Sequence, residues 1–485
     1  MSAPTLPSRY CDPSLIGEGA TGVVWQARDT LADEPVAIKI VRRHLAILDR
    51  FRARFAREVA LSARLVHDNI VPVRDFGRLD DGAPFVVMDL ASEGSLAERL
   101  AAGVPLGRIL DWIDDVLAAL AHLHARGLVH RDIKPENVLL ADVGGDRLRA
   151  WVADFGLAGA RTEVAFTGES VAGTREWMAP EQADGRVQEL GPWTDLYAVG
   201  LVLNAALGGA PVRLSRTHRG GRFTPSRMRL PSDVAPGLAR LTQSLLHADA
   251  RQRFDRAADV RRALAEARSN LSADAVERAV TSEALPTSST TFPVPLTHRG
   301  LAAVANLRPE NPGTGGKPPE WNRVAPSALP AELPEAEGLG SPSHALEVVS
   351  LRQPPPPARP EEQRILWSAA REVVESARPK VILLVGRDGS GKGRLADSVA
   401  EVLDEGGWME VVTLRYHDPP AEDDGYRGAV LELLAPWNDG RADAESRIAG
   451  WLARDRGVGV DAVVDEAHAL ARWCGYREER EPPIN

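Results

Sequence analysis

The chain has 485 residues, of which 44% are hydrophobic and 26% are charged, and its formal net charge at pH 7 is -10. This length supplies material for about three domains, and the acidic balance argues against nucleic acid or an anionic membrane as the default partner. Two cysteines, Cys11 and Cys474, are too few for a disulfide framework and predict a reducing, cytoplasmic location. No apolar run approaches the ~18 residues of a transmembrane helix, so we expect no membrane span.

The first predicted element is a β-hairpin with a glycine-rich tip. Short apolar runs at 15–16 and 23–25 flank the sequence Gly-Glu-Gly-Ala-Thr-Gly at 17–22. Glycines let the backbone lie close over phosphates and offer N–H groups to them, so this tip is a candidate phosphate cradle. The same spacing also opens dinucleotide-binding folds, but a helix follows the glycines there, whereas a β-branched run follows them here.

A lysine interrupts the next apolar strand, Val-Ala-Ile-Lys-Ile at 36–40. Most lysines in strands are surface residues whose stem covers apolar neighbours, and that interpretation of Lys39 stays open. Residues 50–65 follow with apolar residues at helical spacing and include Glu58. A buried strand at 85–90 then runs into the polar segment 91–95.

A helix predicted from the apolar spacing of 109–123 leads into His-Arg-Asp-Ile-Lys-Pro-Glu-Asn at 130–137. Here Asp132, Lys134 and Asn137 are spaced so that one tight loop directs them to one place. Phosphoryl transfer from ATP needs a carboxylate to accept the proton of the attacking hydroxyl, an ammonium to neutralise the γ-phosphate, and an amide oxygen to hold magnesium. The segment therefore predicts a phosphoryl-transfer site; the alternative is a chance polar loop.

A second acidic motif lies behind this loop. An apolar strand at 151–153 precedes Asp154-Phe155-Gly156, and the segment that begins there ends at Ala-Pro-Glu, 179–181. Alone, the Asp-Phe-Gly triplet is a weak signal, but its position after the catalytic loop makes Asp154 a candidate magnesium ligand.

In this order, the motifs resemble those of bacterial eukaryotic-type (Hanks-type) serine/threonine protein kinases. The resemblance covers 9–267 and implies an α+β two-lobed fold, with a β-rich small lobe and an α-rich large lobe. It implies ATP and Mg²⁺ as cofactors, and transfer of the γ-phosphate to Ser/Thr hydroxyls of the chain itself and of partner proteins in signal transduction. Self-association for autophosphorylation would be a further consequence.

The resemblance implies four catalytic residues: Asp132, Lys134, Asn137 and Asp154. Asp132 is the expected base and Lys134 the phosphate-neutralising cation. Asn137 and Asp154 are the expected metal ligands. Arg131, beside the base, implies that activity depends on a phosphate on the activation segment.

The resemblance also implies an ATP-binding set: Gly17, Glu18, Gly19, Gly22, Val24, Ala37, Lys39, Glu58, Met88, Asp89, Ala91 and Leu139. Lys39 should contact the α- and β-phosphates and pair with Glu58, although an exposed salt bridge is an alternative role for Glu58. Val24, Ala37 and Leu139 should sandwich the adenine, and plain core packing is compatible with their positions. Met88 to Ala91 should form the hinge.

Several further positions take roles from the resemblance. Thr167 and Ser170 are the expected activation phosphosites, Thr174 the residue that favours Ser/Thr substrates, and Thr162 an ordinary loop residue. Structural roles are implied for Asp195, which should hold the catalytic-loop backbone, and for an ion pair between Arg253 and Glu181. Ser62 departs from the pattern, because kinases usually bury a leucine or methionine there, and this predicts a less well packed helix.

The remaining chain divides into two further parts. Residues 268–360 are rich in Pro, Ser, Thr, Gly and Ala and predict a mostly disordered linker, whose Ser/Thr cluster at 282–291 is either autophosphorylated or unmodified. Residues 361–485 resume ordered patterning, with a helix, an apolar strand at 380–385 and the sequence GxxxxGK. The candidate P-loop residues are Gly386, Gly391 and Lys392.

This last part resembles an incomplete α/β P-loop NTPase-like domain of the AAA or STAND type. Gly393 stands where that family has a Ser or Thr for magnesium, which argues against hydrolysis. Asp465-Glu466 matches a second acidic motif, but the apolar spacing of 460–474 favours a helix with solvated carboxylates, and it argues against a catalytic role for His468. The domain is therefore either truncated or an interaction domain. This leaves an alternative function, a signalling scaffold whose P-loop unit binds partners or nucleotide.

Overall fold

The computed structural model describes residues 3–19, 22–43, 59, 62–63, 65–144, 147–154, 175–186, 190–216, 222–280, 329–334, 359–376, 378–387, 390–409, 411, 445, 449 and 460–473. Within the described residues, no helix combines the length and the apolar character needed to cross a membrane.

The small lobe is an antiparallel sheet of five strands in the order β1-β2-β3-β5-β4. Their bounds are β1 Tyr10–Glu18, β2 Gly22–Asp29, β3 Glu34–Val41, β4 Val73–Arg78 and β5 Pro84–Asp89. Val36 and Ile38 of β3 pack with Phe85 and Val87 of β5 into the core beneath one face. Because side chains alternate along a strand, the residues between them lie on the other face, towards the large lobe.

The large lobe is mainly helical. Its elements are α1 Leu96–Ala102, β6 Val104–Pro105, α2 Leu106–His124, β7 Val138–Ala141, β8 Arg149–Val152, α3 Pro180–Ala183, α4 Pro192–Ala206, β9 Leu214–Arg216, β10 Phe223–Pro225, α5 Pro236–Leu245 and α6 Ala257–Ser269. Short 3₁₀ turns occupy Pro135–Asn137, Arg175–Trp177 and Ala250–Gln252. One contiguous apolar core joins α1, α2, α4, α5 and α6. The antiparallel β7–β8 hairpin lies beside α2 and carries the catalytic loop at one end.

Ordered elements continue past the predicted boundary at Ala267. Helix α7, Ala273–Glu277, is followed by strand β11, Ala279–Val280, which pairs antiparallel with β6. The backbone N–H of Leu106, at the start of α2, also donates to the carbonyl of Arg278 (3.0 Å). This part of the predicted linker thus packs on the large lobe. Most of the remaining linker lies outside the described residues.

The C-terminal part contains α8 Pro360–Ser376, α9 Lys392–Glu405, a 3₁₀ turn Val460–Val463 and α10 Val464–Trp473. The buried Trp367 of α8 packs against Val399 and Leu403 of α9. Its indole N–H donates to the carbonyl of Pro330 (3.1 Å), so a second short piece of the predicted linker belongs to this unit. Helix α10 confirms the helical interpretation of the acidic motif, with Asp465 and Glu466 exposed.

The apolar segment 380–385, predicted as a strand, has no strand structure. The side chains of Val381, Leu383 and Val385 are 96%, 83% and 84% exposed. A strand needs a neighbour for its N–H and C=O groups, and none of the described segments pairs with this one. The helix predicted after it is present as α9.

Candidate active site

Gly19 and Gly22, in the glycine-rich tip between β1 and β2, are joined by a backbone hydrogen bond. The N–H of Gly19 donates to the carbonyl of Gly22 (2.8 Å), and Arg42 Nε donates to the carbonyl of Gly19 (2.9 Å). A Cβ atom on Gly22 would lie 2.6 Å from the carbonyl oxygen of Ile40, so only glycine allows β2 to approach β3 this closely. The close packing of β2 against β3 therefore requires glycine at position 22.

Strand register places four predicted ATP-binding residues on one face of the sheet. Lys39 lies opposite Val24 of β2, and Ala37 lies opposite Met88 of β5. Directly paired residues of antiparallel strands share a face, and Ala37 and Lys39 are two residues apart on β3. An apolar wall therefore leads from Met88 to the ammonium of Lys39.

The predicted hinge begins where β5 ends. The backbone N–H of Asp89 donates to the carbonyl of Pro72 (3.0 Å), and its carboxylate accepts from Arg74. Because that N–H is already engaged within the fold, an adenine edge would be read by other backbone groups between Asp89 and Ala91. Leu139, on β7, forms an isolated bridge with Ser95 just after the hinge.

The ammonium of Lys39 forms an ion pair with Oδ1 of Asp154. The Lys39 side chain is 7% exposed and that of Asp154 is 34% exposed. Because Lys39 lies on β3 and Asp154 follows β8, the pair joins the inner face of the small lobe to the end of β8. The predicted phosphate-binding cation and the predicted metal ligand therefore lie at one place. Bound ATP with its metal would have to separate them.

The catalytic loop brings its three predicted residues into contact. Asn137 Nδ2 donates to the carbonyl of Asp132 (2.8 Å) and to its Oδ2 (2.9 Å), and Lys134 Nζ lies 3.2 Å from the same Oδ2. Because the amide nitrogen of Asn137 faces Asp132, its amide oxygen is the remaining polar atom. An amide oxygen and the Asp154 carboxylate form the hard oxygen donor set that Mg²⁺ prefers, so the residues fit that ion.

Two non-glycine residues of the site have a strained backbone, and a buried carboxylate holds the catalytic loop. Arg131 has φ 66° and Asp154 has φ 64°, in the left-handed region that costs non-glycine residues energy. The buried carboxylate of Asp195 accepts the N–H groups of His130 (2.8 Å) and Arg131 (2.7 Å), which confirms its expected role. Burial acts to raise the pKa of Asp195, but its hydrogen bond with His124 and the charge of that ring lower the pKa below its usual value.

A buried ion pair closes the lower side of the large lobe, as the resemblance implied. Arg253 Nη1 and Nη2 donate to Oε1 and Oε2 of Glu181 at 2.9 and 3.1 Å. Glu181 also accepts from the hydroxyl of Thr194 (3.0 Å), and the guanidinium lies 4.5 Å from the centre of the Tyr197 ring.

Comparison with known proteins places this geometry in a family. The family described as "Protein kinase domain" matches residues 10–263, which is more than half of the chain. The chain belongs to the protein kinase family. Members of this family use ATP with Mg²⁺, the two groups that the residues above fit.

Two relatives of this kinase chain come from bacteria. Serine/threonine-protein kinase pkn3 of Myxococcus xanthus is 35% identical over 260 residues, which are 49% of this chain and 46% of the relative. Serine/threonine-protein kinase PknL of Mycobacterium tuberculosis is 38% identical over 208 residues, 42% of this chain and 50% of the relative. The kinase chain thus spans about half the length of these curated relatives.

Among solved structures, the kinase domain of Mycobacterium tuberculosis PknI matches 55% of this chain and 99% of its own, with 27% identity and a TM-score of 0.43.

Three residues that hold the catalytic loop or its support, Asp195, escaped the sequence interpretation. His124 Nε2 lies 2.9 Å from Asp195 Oδ2, and Gln182 Nε2 donates to the carbonyl of Arg131 (2.7 Å). His130 accepts the Asp132 N–H at Nδ1 (3.2 Å), so its Nε2–H donates to the carbonyl of Ala153 (3.0 Å). Only His130 stood in a recognised motif; the other two are single polar residues on helices with no distinctive spacing.

Several predicted kinase residues lie outside the described part of the chain: Glu58, Phe155, Gly156, Thr162, Thr167, Ser170 and Thr174. Their roles stay predictions. Ser62, the departure noted in the small-lobe helix, is helical and half-buried.

The described residues at the two ends of the candidate P-loop contact each other. Lys392 Nζ donates to the carbonyls of Gly386 (2.8 Å) and Arg387 (3.0 Å), and Gly391 precedes α9 with φ 83°. The lysine thus spans its own loop at the start of a helix. A Cβ on Gly393 would meet nothing within 4 Å, so the absence of a hydroxyl there is not imposed by packing.

Proposed function

We propose that the chain is a serine/threonine protein kinase that transfers the γ-phosphate of ATP to hydroxyls of itself and of partner proteins in bacterial signalling. The contact of Asp132 with both Lys134 and Asn137 supports this most directly, because it assembles a base, a cation and an amide in one loop. The ion pair of Lys39 with Asp154 adds the second phosphate-binding pair at the same cleft.

In this proposal each residue has a separate task. Asp132 orients the acceptor hydroxyl and takes its proton, and Lys134 neutralises the transferred phosphoryl group. Lys39 leaves Asp154 for the α- and β-phosphates when ATP enters. Asn137 and Asp154 would hold Mg²⁺, which supplies charge neutralisation on the phosphates.

The remaining ATP-binding assignments belong to the same proposal. Val24, Ala37 and Leu139 cover the adenine, and Met88 stands at the entrance to its pocket. The register that places Val24, Ala37 and Met88 on the face of Lys39 supports them. The glycine tip covers the phosphates.

The choice of acceptor and the regulation are finer proposals. The names of the relatives, which are serine/threonine-protein kinases, support a Ser/Thr acceptor. We infer that Thr167 or Ser170 carries the activating phosphate, because the charge of Arg131 beside the base needs a phosphate to pair with. One copy of the chain would add this phosphate to another copy.

For the rest of the chain we propose a linker within 268–360, apart from the ordered pieces at 273–280 and around Pro330, and a P-loop-like unit over 361–485. The lysine that closes its own loop at the start of α9 supports the P-loop assignment, and the unpaired segment at 380–385 weakens it. An AAA or STAND ancestry is a matter of resemblance alone.

The test is phosphate incorporation from labelled ATP with Mg²⁺ into the full chain and into a generic basic acceptor. Asp132→Asn should reduce incorporation by at least about 10³-fold, since proton acceptance and hydroxyl orientation are both lost. Lys392→Ala is the matched control, a charge removal at the other candidate phosphate site, and should incorporate as the wild type does.

Equal incorporation by Asp132→Asn and wild type would contradict the proposal. A loss confined to Lys392→Ala would instead favour the scaffold alternative, in which the P-loop unit binds nucleotide.

A further inference from the structure

The C-terminal turn of α9 lies on the catalytic domain through a set of charged contacts. Glu405 Oε2 is 3.3 Å from His122 Nδ1 and 3.4 Å from Arg126 Nη1, and Glu405 Oε1 is 3.8 Å from His67 Nε2. One turn earlier, Glu401 Oε2 is 2.7 Å from Arg126 Nη2. We call these five residues the docking cluster.

A second contact fixes the end of the same helix. Arg262 of α6 donates from Nη1 to the carbonyl of Gly406 (3.0 Å) and from Nη2 to that of Gly407 (3.5 Å). A guanidinium at the carboxyl end of a helix stabilises its unpaired carbonyls and its dipole. Gly407 has φ 65°, and a Cβ there would lie 2.8 Å from Cβ of Ala258, so the approach to α6 is close as well as charged.

One residue of the docking cluster, His67, lies in a small-lobe turn before β4 that contacts the large lobe. His67 precedes Asn69, whose Nδ2 donates to the carbonyl of Ala150 (3.1 Å) and whose carbonyl accepts from Val152 N–H (2.8 Å). These bonds attach the turn before β4 to β8, and β8 leads directly to Asp154. Because α9 contacts both His67 and α2, it stabilises this contact between the two lobes, which lies next to the candidate metal ligand Asp154. We call the contact of the turn before β4 with β8 the lobe contact.

A metal site fits these atoms less well than a hydrogen-bonded contact does. The ligand atoms of His67, His122 and Glu405 all lie within 4.8 Å of one another. However, His67 Nδ1 accepts the backbone N–H of Asn69 (3.0 Å), which places the ring proton on Nε2, the atom that faces Glu405. A protonated nitrogen has no lone pair for a cation, whereas its proton is directed at the Glu405 carboxylate 3.8 Å away.

Electrostatic complementarity also favours docking. The helix presents two carboxylates, and the catalytic domain presents two arginines and a pair of imidazoles. The His67 and His122 side chains are 3% and 9% exposed, and that of Glu405 is 26% exposed, so the central contacts are largely shielded from water. The ion pairs of Arg126 with Glu401 and Glu405 lie beside these contacts, and partly buried ion pairs are less screened than exposed ones.

We propose that the surface formed by His67, His122, Arg126 and Arg262 is a docking site for α9 of the same chain. Docking supports kinase activity because it stabilises the lobe contact. The docking is independent of the proposed kinase function, whereas the effect of docking on activity rests on that proposed function. The C-terminal unit thereby acts as a built-in partner of the catalytic domain.

The experiment measures hydrogen–deuterium exchange in the full chain, over peptides that cover 65–72 and 392–409. Charge reversal in Glu401→Arg or in Arg126→Glu should speed exchange in both regions roughly three- to tenfold. The double variant Arg126→Glu with Glu401→Arg restores this ion pair with opposite polarity and should recover part of the protection, because the new carboxylate at position 126 still faces Glu405. Glu372→Arg with Glu375→Arg is the matched control, since both carboxylates are exposed and pair within their own unit.

Exchange that is unchanged in both single variants, or a double variant no better protected than either, would overturn the docking. Phosphate incorporation is measured on the same samples and should fall in the single variants and recover in part in the double variant. Loss of docking without any change in incorporation would overturn the activity effect. If wild type incorporates nothing while the exchange coupling persists, the kinase function fails and the docking stands.

Discussion

At the scale of single residues, the most constrained position of the glycine tip is Gly22. A Cβ there would lie 2.6 Å from a backbone oxygen of β3, which cannot move without opening the β2–β3 pairing. We expect Gly22→Ala to lower the free energy of unfolding by about 1–3 kcal/mol and to raise the KM for ATP. Denaturant unfolding and an ATP titration of incorporation measure the two effects.

Gly17→Ala is the matched control for this prediction. Its Cβ would meet only Val24 Cβ at 4.0 Å, an ordinary van der Waals contact, so its free energy of unfolding should stay close to wild type. Gly17 belongs to the predicted ATP-binding set, so it is a control for unfolding and not for the KM. If Gly22→Ala unfolds at the wild-type midpoint and keeps the wild-type KM, the close approach of the strands is not a constraint.

At the scale of elements, the buried ion pair of Arg253 with Glu181 joins the turn before α6 to α3. The side chains are 0% and 2% exposed, and the guanidinium also donates to the carbonyl of His247 (2.7 Å). We expect Arg253→Met to cost about 3–5 kcal/mol of unfolding free energy, because it leaves a buried carboxylate without its partner. Urea denaturation of the full chain measures the loss.

The control for this pair is an exposed one on neighbouring helices. Arg261 of α6 lies 2.9 Å from Asp114 of α2, with side chains 42% and 40% exposed, and Arg261→Met should cost no more than about 1 kcal/mol. Adding Glu181→Leu to Arg253→Met should recover part of the loss, since no unpaired charge remains. Equal costs for the two arginine variants would show that burial does not set the value of the pair.

The same scale shows what sequence patterns predict and where they stop. The hairpin, the strand with Lys39 and helix α2 follow from local spacing, and the kinase resemblance gives the partners of Asp195 and Arg253. The contacts of Gln182 with the catalytic loop and of α9 with α2 join residues far apart in sequence, and no period or motif marks them. The prediction of a strand at 380–385 is wrong, because an apolar pattern does not show whether a neighbouring strand is present to pair with the segment.

At the scale of the whole molecule, the chain links its catalytic domain to a C-terminal helix through groups that titrate. The His67 ring faces His122, Glu405, Asp68 and Arg126. Burial, followed by the charge of His122, lowers the pKa of His67 from 6.5 to about 4. Burial opposes ionisation of Glu405, but its hydrogen bond with His122 keeps its pKa below the usual 4.5.

The sign of the resulting pH dependence follows from proton binding. Between pH 4 and 6.5 the unfolded chain binds a proton at His67 that the folded chain does not, so acidification across this window favours unfolding. We expect the contribution to reach about 3 kcal/mol at the acidic end. The loss from Glu405 belongs to a lower window, because its depressed pKa preserves its charge until the pH falls below 4.5.

Urea unfolding of the full chain at several pH values between 7 and 4 separates the His67 effect from general acid sensitivity. In His67→Asn the amide oxygen still accepts the N–H of Asn69, but nothing titrates, so the slope of unfolding free energy against pH should flatten across this window. His247→Asn replaces an exposed imidazole and should keep the wild-type slope. A wild-type slope in His67→Asn would mean that other groups carry the acid sensitivity, and that the buried imidazole at the α9 contact is not its source.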